Sequence, residues 1–177
     1  IRSSEIDAAS RARILERGGE NIRERVARLL PEGFSEDRER VVARYREALQ
    51  SLPRDAVRGR EVFRENCATC HRLDGEGFDV GPDLAAARSK GEDALLEAVL
   101  NPSRMVPPRY MPYAVETERG VATGIIASET ASAVTLLRSG GVSETILRAD
   151  IRRLVASGES LMPADLEKTI PPEAMAD

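Results

Sequence analysis

The residues best equipped for chemistry lie in one run, Asn66 to Leu84, which reads NCATCHRLDGEGFDVGPDL. It holds both cysteines of the chain, Cys67 and Cys70, and its only histidine, His71. Three chemistries compete for a Cys-x-x-Cys: a redox disulfide, half of a zinc site, and covalent attachment of a c-type haem. A thioredoxin-like disulfide expects a strand–helix–strand unit. Here a helical pattern leads into the motif and a loop rich in Gly and Asp leaves it. A structural zinc ion takes four ligands, mostly Cys and His, and the chain has three such residues. Haem attachment asks only for what is present. Residues three and four apart are neighbours on a helical turn, so Cys67, Cys70 and His71 face one side. The two thiols can add to the two vinyl groups of a haem, and His71 then lies directly below the iron as its proximal ligand.

Electron carriers usually give the iron a sixth ligand, and His/Met ligation raises the potential. Of the four methionines, Met162 precedes Pro163 in the loop GESLMPADL, and the proline biases it to an extended backbone. Met111 opens a strand pattern, Met105 follows a helix end and Met175 lies in a last helix, so Met162 is the expected distal ligand. The chain has no second His and no evident distal acid–base pair. An electron carrier, not an enzyme, is therefore expected. The alternative is a haem-based sensor or a peroxidase with an open or displaceable distal site.

Other elements must position these groups. Ser4, with Asp7 three residues on, opens a first helical pattern whose apolar positions run to Leu30. Ser35 caps a second, with Val41, Val42, Tyr45, Ala48, Leu49 and Leu52 as its stripe. Asp55 begins a third helix that reaches the cysteines, and a fourth covers about Gly91 to Leu100. From Met111 to Leu147 the period changes to two. The segments YAVETE, VATGIIAS, AVTLLR and VSETIL read as four strands of a small antiparallel sheet, with turns at Arg119-Gly120 and Ser139-Gly140-Gly141. Residues 150–163 read as irregular or short helical structure, and PPEAMAD as the first turn of a last helix.

Hydrophobic residues make up 41% of the 177, aromatic residues only 3%. The core is thus aliphatic, or built around something else such as a large flat cofactor. The net charge is −4, with 14 basic and 19 acidic groups after residue 55, and no basic stripe suits a nucleic acid. No apolar run approaches membrane-spanning length. The chain opens at Ile1 without Met and reads as a processed product or a fragment.

Around the CATCH motif the sequence resembles class I c-type cytochromes: Gly59 and Phe63 match positions of that family's first helix, and GPDL, Gly81 to Leu84, matches its Gly-Pro-x-Leu loop. The resemblance implies that the Pro82 carbonyl accepts a hydrogen bond from the proximal His, and it aligns Met162 with the distal ligand. A closer resemblance, over about Gly59 to Asp177, is to the haem-binding domain of Planctomycete and Verrucomicrobium type. GREVFRENCATCH, GPDL, NPS, VATGIIASET, SLMP and EAMAD look like its successive blocks. That family implies a β-insertion before the distal loop, and placement in large secreted proteins beside helical repeats or dehydrogenase-like propellers.

The expectations are these. The fold is mainly α, a class I cytochrome c helical fold with a small β-sheet inserted at about 110–148. An N-terminal helical segment or linker covers 1–55 and the haem domain 56–177. One covalent haem c is held by Cys67 and Cys70, with iron ligated by His71 and Met162 and Pro82 behind the histidine. A partner or fused dehydrogenase supplies electrons, in the periplasm or otherwise outside the cytoplasm. The usual last helix, which packs across the first near Gly59, is expected to be missing beyond Asp177, leaving that surface bare or covered by residues 1–55.

Overall fold

The computed structural model describes residues 36–177 together with Gly19, Asn21 and Arg25. The expected first helix, from Ser4 to Leu30, falls almost wholly outside the described residues, as does the Ser35 cap. Among the described residues from Glu36 on, there are four α-helices and seven strands. Helix α1 spans Glu36–Leu49 and α2 Ala56–Asn66. The short strands β1 (Arg72–Leu73) and β2 (Glu76–Gly77) form a hairpin, and α3 spans Glu92–Leu100. Then come β3 (Pro112–Thr117), β4 (Gly120–Glu129), β5 (Ala133–Arg138), β6 (Val142–Leu147) and β7 (Ile151–Ala156), and the chain closes with α4 (Pro172–Ala176).

The stripe of α1 buries Val42 and Tyr45 against Leu96 and Leu100 of α3, with Leu49 and Met175 packed around them. So α1 precedes residue 56 in the chain but shares its core with helices that follow it. The phenol of Tyr45, 1% exposed, donates to the Ile170 carbonyl at 2.8 Å, and burial pushes its pKa up. Asp55 caps α2 with a side-chain oxygen that accepts from the Val57 and Arg58 amides.

Two differences from the sequence reading concern this framework. Helix α4 does reach α2: a Cβ on Gly59 would lie 2.5 Å from the Asp177 carbonyl carbon, so the crossing depends on glycine. The Asp177 carboxylate accepts from the Asp55 amide at 2.9 Å and from Arg58 at 2.8 and 2.9 Å, which holds it well below its ordinary pKa. The Gly59 surface is therefore covered by Asp177 at the end of α4.

The second difference is the sheet. The four expected strands are present, but Ile151–Ala156 adds a fifth where irregular or helical structure was expected, so the insertion runs to 156, not 148. The order is β6-β5-β4-β3-β7, antiparallel throughout. Val115, Val134, Leu136 and Ile146 form its own apolar cluster, with Ile151 and Leu154 of β7 against them. A helical domain thus carries a substantial sheet, and "mainly α" understates it. Pairing β7 with β3 brings the entry and exit of the insertion together, and the Ser157 amide donates to the Pro112 carbonyl at 2.9 Å. The Ser160 amide, just beyond, donates to Ser103 Oγ, just before, at 3.1 Å. A sheet can therefore be inserted here without separating the helical elements on either side. No helix among the described residues is long and apolar enough to cross a membrane.

Candidate functional site

Helix α2 ends by turning tightly into the motif. The amides of Cys67 and Ala68 both donate to the Phe63 carbonyl, and those of Cys70 and His71 both donate to the Cys67 carbonyl. This continues a helix-like turn through 71, which sets the two cysteines and the histidine on one side. Both thiols are free and half-buried. Burial, and then the neighbouring Cys70, pushes the Cys67 thiol up from its ordinary pKa.

The loop that follows folds back over the motif. Phe78 N–H donates to the Ala68 carbonyl at 3.1 Å, Val80 and Gly81 both donate to the Cys70 carbonyl, and Leu84 donates to the Arg72 carbonyl. The β1–β2 hairpin makes this reversal through Asp74 (φ 49) and Gly75 (φ 87), an Asp-Gly pair suited to left-handed turn positions. Arg60 and Arg64 of α2, one turn apart, both grip Glu76 of β2, with Arg64 bonds of 2.9 Å. They hold its carboxyl far down, to about 2.

The reversal puts Pro82 and Gly81 against the imidazole. Nδ1 of His71 donates to the Pro82 carbonyl at 2.8 Å, which leaves Nε2 as the free, lone-pair nitrogen. A Cβ at Gly81 would overlap Cε1 and sit 2.8 Å from Nδ1, so the backbone lies flush on the ring. Two half-buried thiols, an imidazole fixed in tautomer and orientation, and a backbone partner behind it suit a haem held by thioethers and a proximal His. They do not suit zinc: among the described residues no group of three His, Cys, Asp or Glu could hold a metal ion by itself.

Met162 lies in the loop after β7, half-buried, with its amide donating to Ser160 Oγ at 3.1 Å. Of the other candidates, Met105 is 84% exposed, Met111 is half-buried before β3, and Met175 packs on the α1–α3 core. Sequence reasoning missed the groups that fix the Met162 loop. Arg38 of α1 donates to the carbonyls of Ala164 and Leu100 and forks onto the carboxylate of Glu167, with one bond of 2.9 Å. The hydrogen bonds from Arg38 pull the Glu167 pKa down. Arg38 and Glu167 are 129 residues apart, and no local pattern links them. The turn between β5 and β6 was read, but not its docking: the Gly140 amide donates to the Thr69 carbonyl, inside the motif, at 2.7 Å.

This geometry suits covalent attachment of a haem. Residues 56–124, which hold Cys67, Cys70, His71 and Pro82, match the family model for cytochrome c, and the match supports haem c as the covalently bound cofactor. It is 42% identical over 77 residues to a Cbb3-type cytochrome c oxidase subunit FixP of Rhizobium etli, covering 39% of this chain and 27% of that protein. It is 30% identical over 63 residues to a cytochrome c-553-like protein of Synechocystis, covering 35% of this chain and 59% of that one. The chain thus spans about a quarter of the length of the oxidase subunit it matches.

Proposed function

We propose that this chain is an electron-transfer module, of the Planctomycete and Verrucomicrobium haem-domain type, holding one haem through thioethers at Cys67 and Cys70 with His71 and Met162 as axial ligands. The haem supplies a one-electron iron couple; the chain's residues set its potential and its access. The observation that carries the reading is the His71 imidazole, bonded at Nδ1 to the Pro82 carbonyl at 2.8 Å and packed on Gly81, next in the chain to the Cys67–Cys70 pair of free thiols. That hydrogen bond fixes the ring and makes Nε2 a better donor. Met162, in a loop clamped by Arg38 and by Ser103, is the group this reading assigns to the opposite face. A neutral thioether there favours ferrous iron and holds the potential up.

Electrons arrive from a partner or fused dehydrogenase. The oxidase-subunit relatives give an oxidase as a second class of partner, on the acceptor side. The protein works outside the cytoplasm, where c-type haem is attached. A sensor or peroxidase would need an open sixth position, and no second histidine exists to serve a distal site.

Three methionine variants test the ligand assignment. Met162→Ala should lose the weak red-region band of sulfur-to-iron charge transfer in the ferric protein and lower the potential. Met105→Ala and Met111→Ala should change neither. A spectrally silent Met162→Ala, with a changed Met105 or Met111 variant, would overturn the assignment. Silence in all three would favour the sensor or enzyme reading.

A further inference from the structure

The inserted sheet touches the haem-attachment motif through the turn Ser139–Gly141 between β5 and β6. Three contacts converge there. The Gly140 amide donates to the Thr69 carbonyl at 2.7 Å. The Cys70 thiol lies 3.7 Å from the Ser139 hydroxyl oxygen. Gly141 is packed on the Phe78 ring: a Cβ there would stand 2.5 Å from Cδ1 and 3.1 Å from Cε1. The Thr69 hydroxyl adds a fourth group, donating to Cys70 Sγ at 3.8 Å.

Both cysteines are half-buried, and what stands beside the Cys70 sulfur is the turn, through Ser139. Once Cys70 is a thioether it has no proton to give, so the Ser139 hydroxyl becomes the donor and the sulfur a weak acceptor. The turn is also built for this contact. Gly140 (φ 76) and Gly141 (φ 71) are both left-handed, which aims the Gly140 amide at the motif. An ordinary two-stranded turn would not need a residue at Gly141 without a Cβ to clear Phe78.

We propose that the Ser139–Gly141 turn is a cover for the Cys70 side of the haem, excluding water from that thioether edge and so raising the iron's reduction potential. The physical reason is solvation. Ferric haem carries one more positive charge than ferrous haem, so water at its edge favours the ferric state and lowers the potential. The inserted sheet serves as the rigid mount for this cover, with β5 and β6 paired along their full length, from Ala133↔Leu147 to Arg138↔Val142. The inference rests on covalent haem at Cys70, as proposed above.

The test compares two glycine variants of the haem-loaded protein. Gly141→Val puts a branched side chain into the Phe78 ring at a left-handed φ, and the turn cannot stay docked. Gly120→Val strains the β3–β4 turn (φ 132), where an added Cβ meets nothing within 4 Å. Potentials are read by spectroelectrochemistry, and release of the turn by hydrogen exchange of the Gly140 amide. Gly141→Val should speed that exchange at least tenfold and lower the potential, while Gly120→Val leaves both as in the parent. A parent-like potential in Gly141→Val overturns the proposal, whether or not the amide is released. If Gly141→Val yields no holoprotein, Ser139→Ala decides: the potential should fall and be restored in Ser139→Thr, and no change in Ser139→Ala overturns the cover. Absence of covalent haem in the parent protein would instead sink the site reading itself.

Discussion

Replacing Gly81 by Ala probes the link between loop and ligand most sharply. The new Cβ would stand 2.8 Å from His71 Nδ1 and closer still to Cε1, where ordinary contact begins at about 3.4 Å. The ring must therefore move by about 0.6 Å or more. A shift of that size takes the 2.8 Å bond to the Pro82 carbonyl to about 3.4 Å, past the usual N–H···O range. The net worth of such a bond is about 1 kcal/mol. It favours ferric iron, because a hydrogen-bonded imidazole is the more basic ligand. Full loss then raises the potential by up to about 40 mV for a one-electron couple, at about 59 mV per tenfold change in the equilibrium constant. Spectroelectrochemical titration of the parent and Gly81→Ala measures this directly. A fall in potential, or no change with haem fully attached, would refute the claim that Gly81 and Pro82 act through His71.

Arg38→Ala should strip the Met162 loop of its clamp and leave Glu167, with a side chain only 11% exposed, without its charge partner. Loss of about 3 kcal/mol in denaturant unfolding is expected, together with a weakened red-region band. Tyr45→Phe should cost about 1–2 kcal/mol in the same assay, because the buried Ile170 carbonyl loses its donor. Acid should also weaken the fold through Glu76. Its folded pKa, about 2, lies below its ordinary value, so the contribution is present above about 4.5 and is lost as pH falls toward 2. In Glu76→Gln, thermal melts across that window should show a shallower pH dependence; identical slopes would rule out the Arg60–Arg64 grip as its source.

The haem motif was legible because its chemistry is local: two cysteines and a histidine within five residues need only one helical turn to converge. The four strands from Tyr113 to Leu147 were legible for a similar reason, each hairpin being closed by a short turn, two of them Gly-containing, at Arg119-Gly120 and Ser139-Gly140-Gly141. Strand β7 was not, because IRRLVA lacks clean alternation and pairs with β3, more than thirty residues earlier, across a register shift at Glu116/Thr117. The packing of α4 on α2 was misjudged although Gly59, already singled out, is the mark of a close crossing. The Arg38–Glu167 clamp and the docking of Gly140 on Thr69 are long-range side-chain and turn contacts. They follow from the assembled fold, and no spacing in the chain announces them.

Carbon monoxide binding to the ferrous parent protein tests the electron-carrier account most directly, since it asks whether the sixth position is filled. With Met162 on the iron and its loop held by Arg38 and Ser103, the reduced spectrum should stay unchanged on mixing with the gas. Immediate, stoichiometric formation of a carbonyl complex would show an open site and contradict the account.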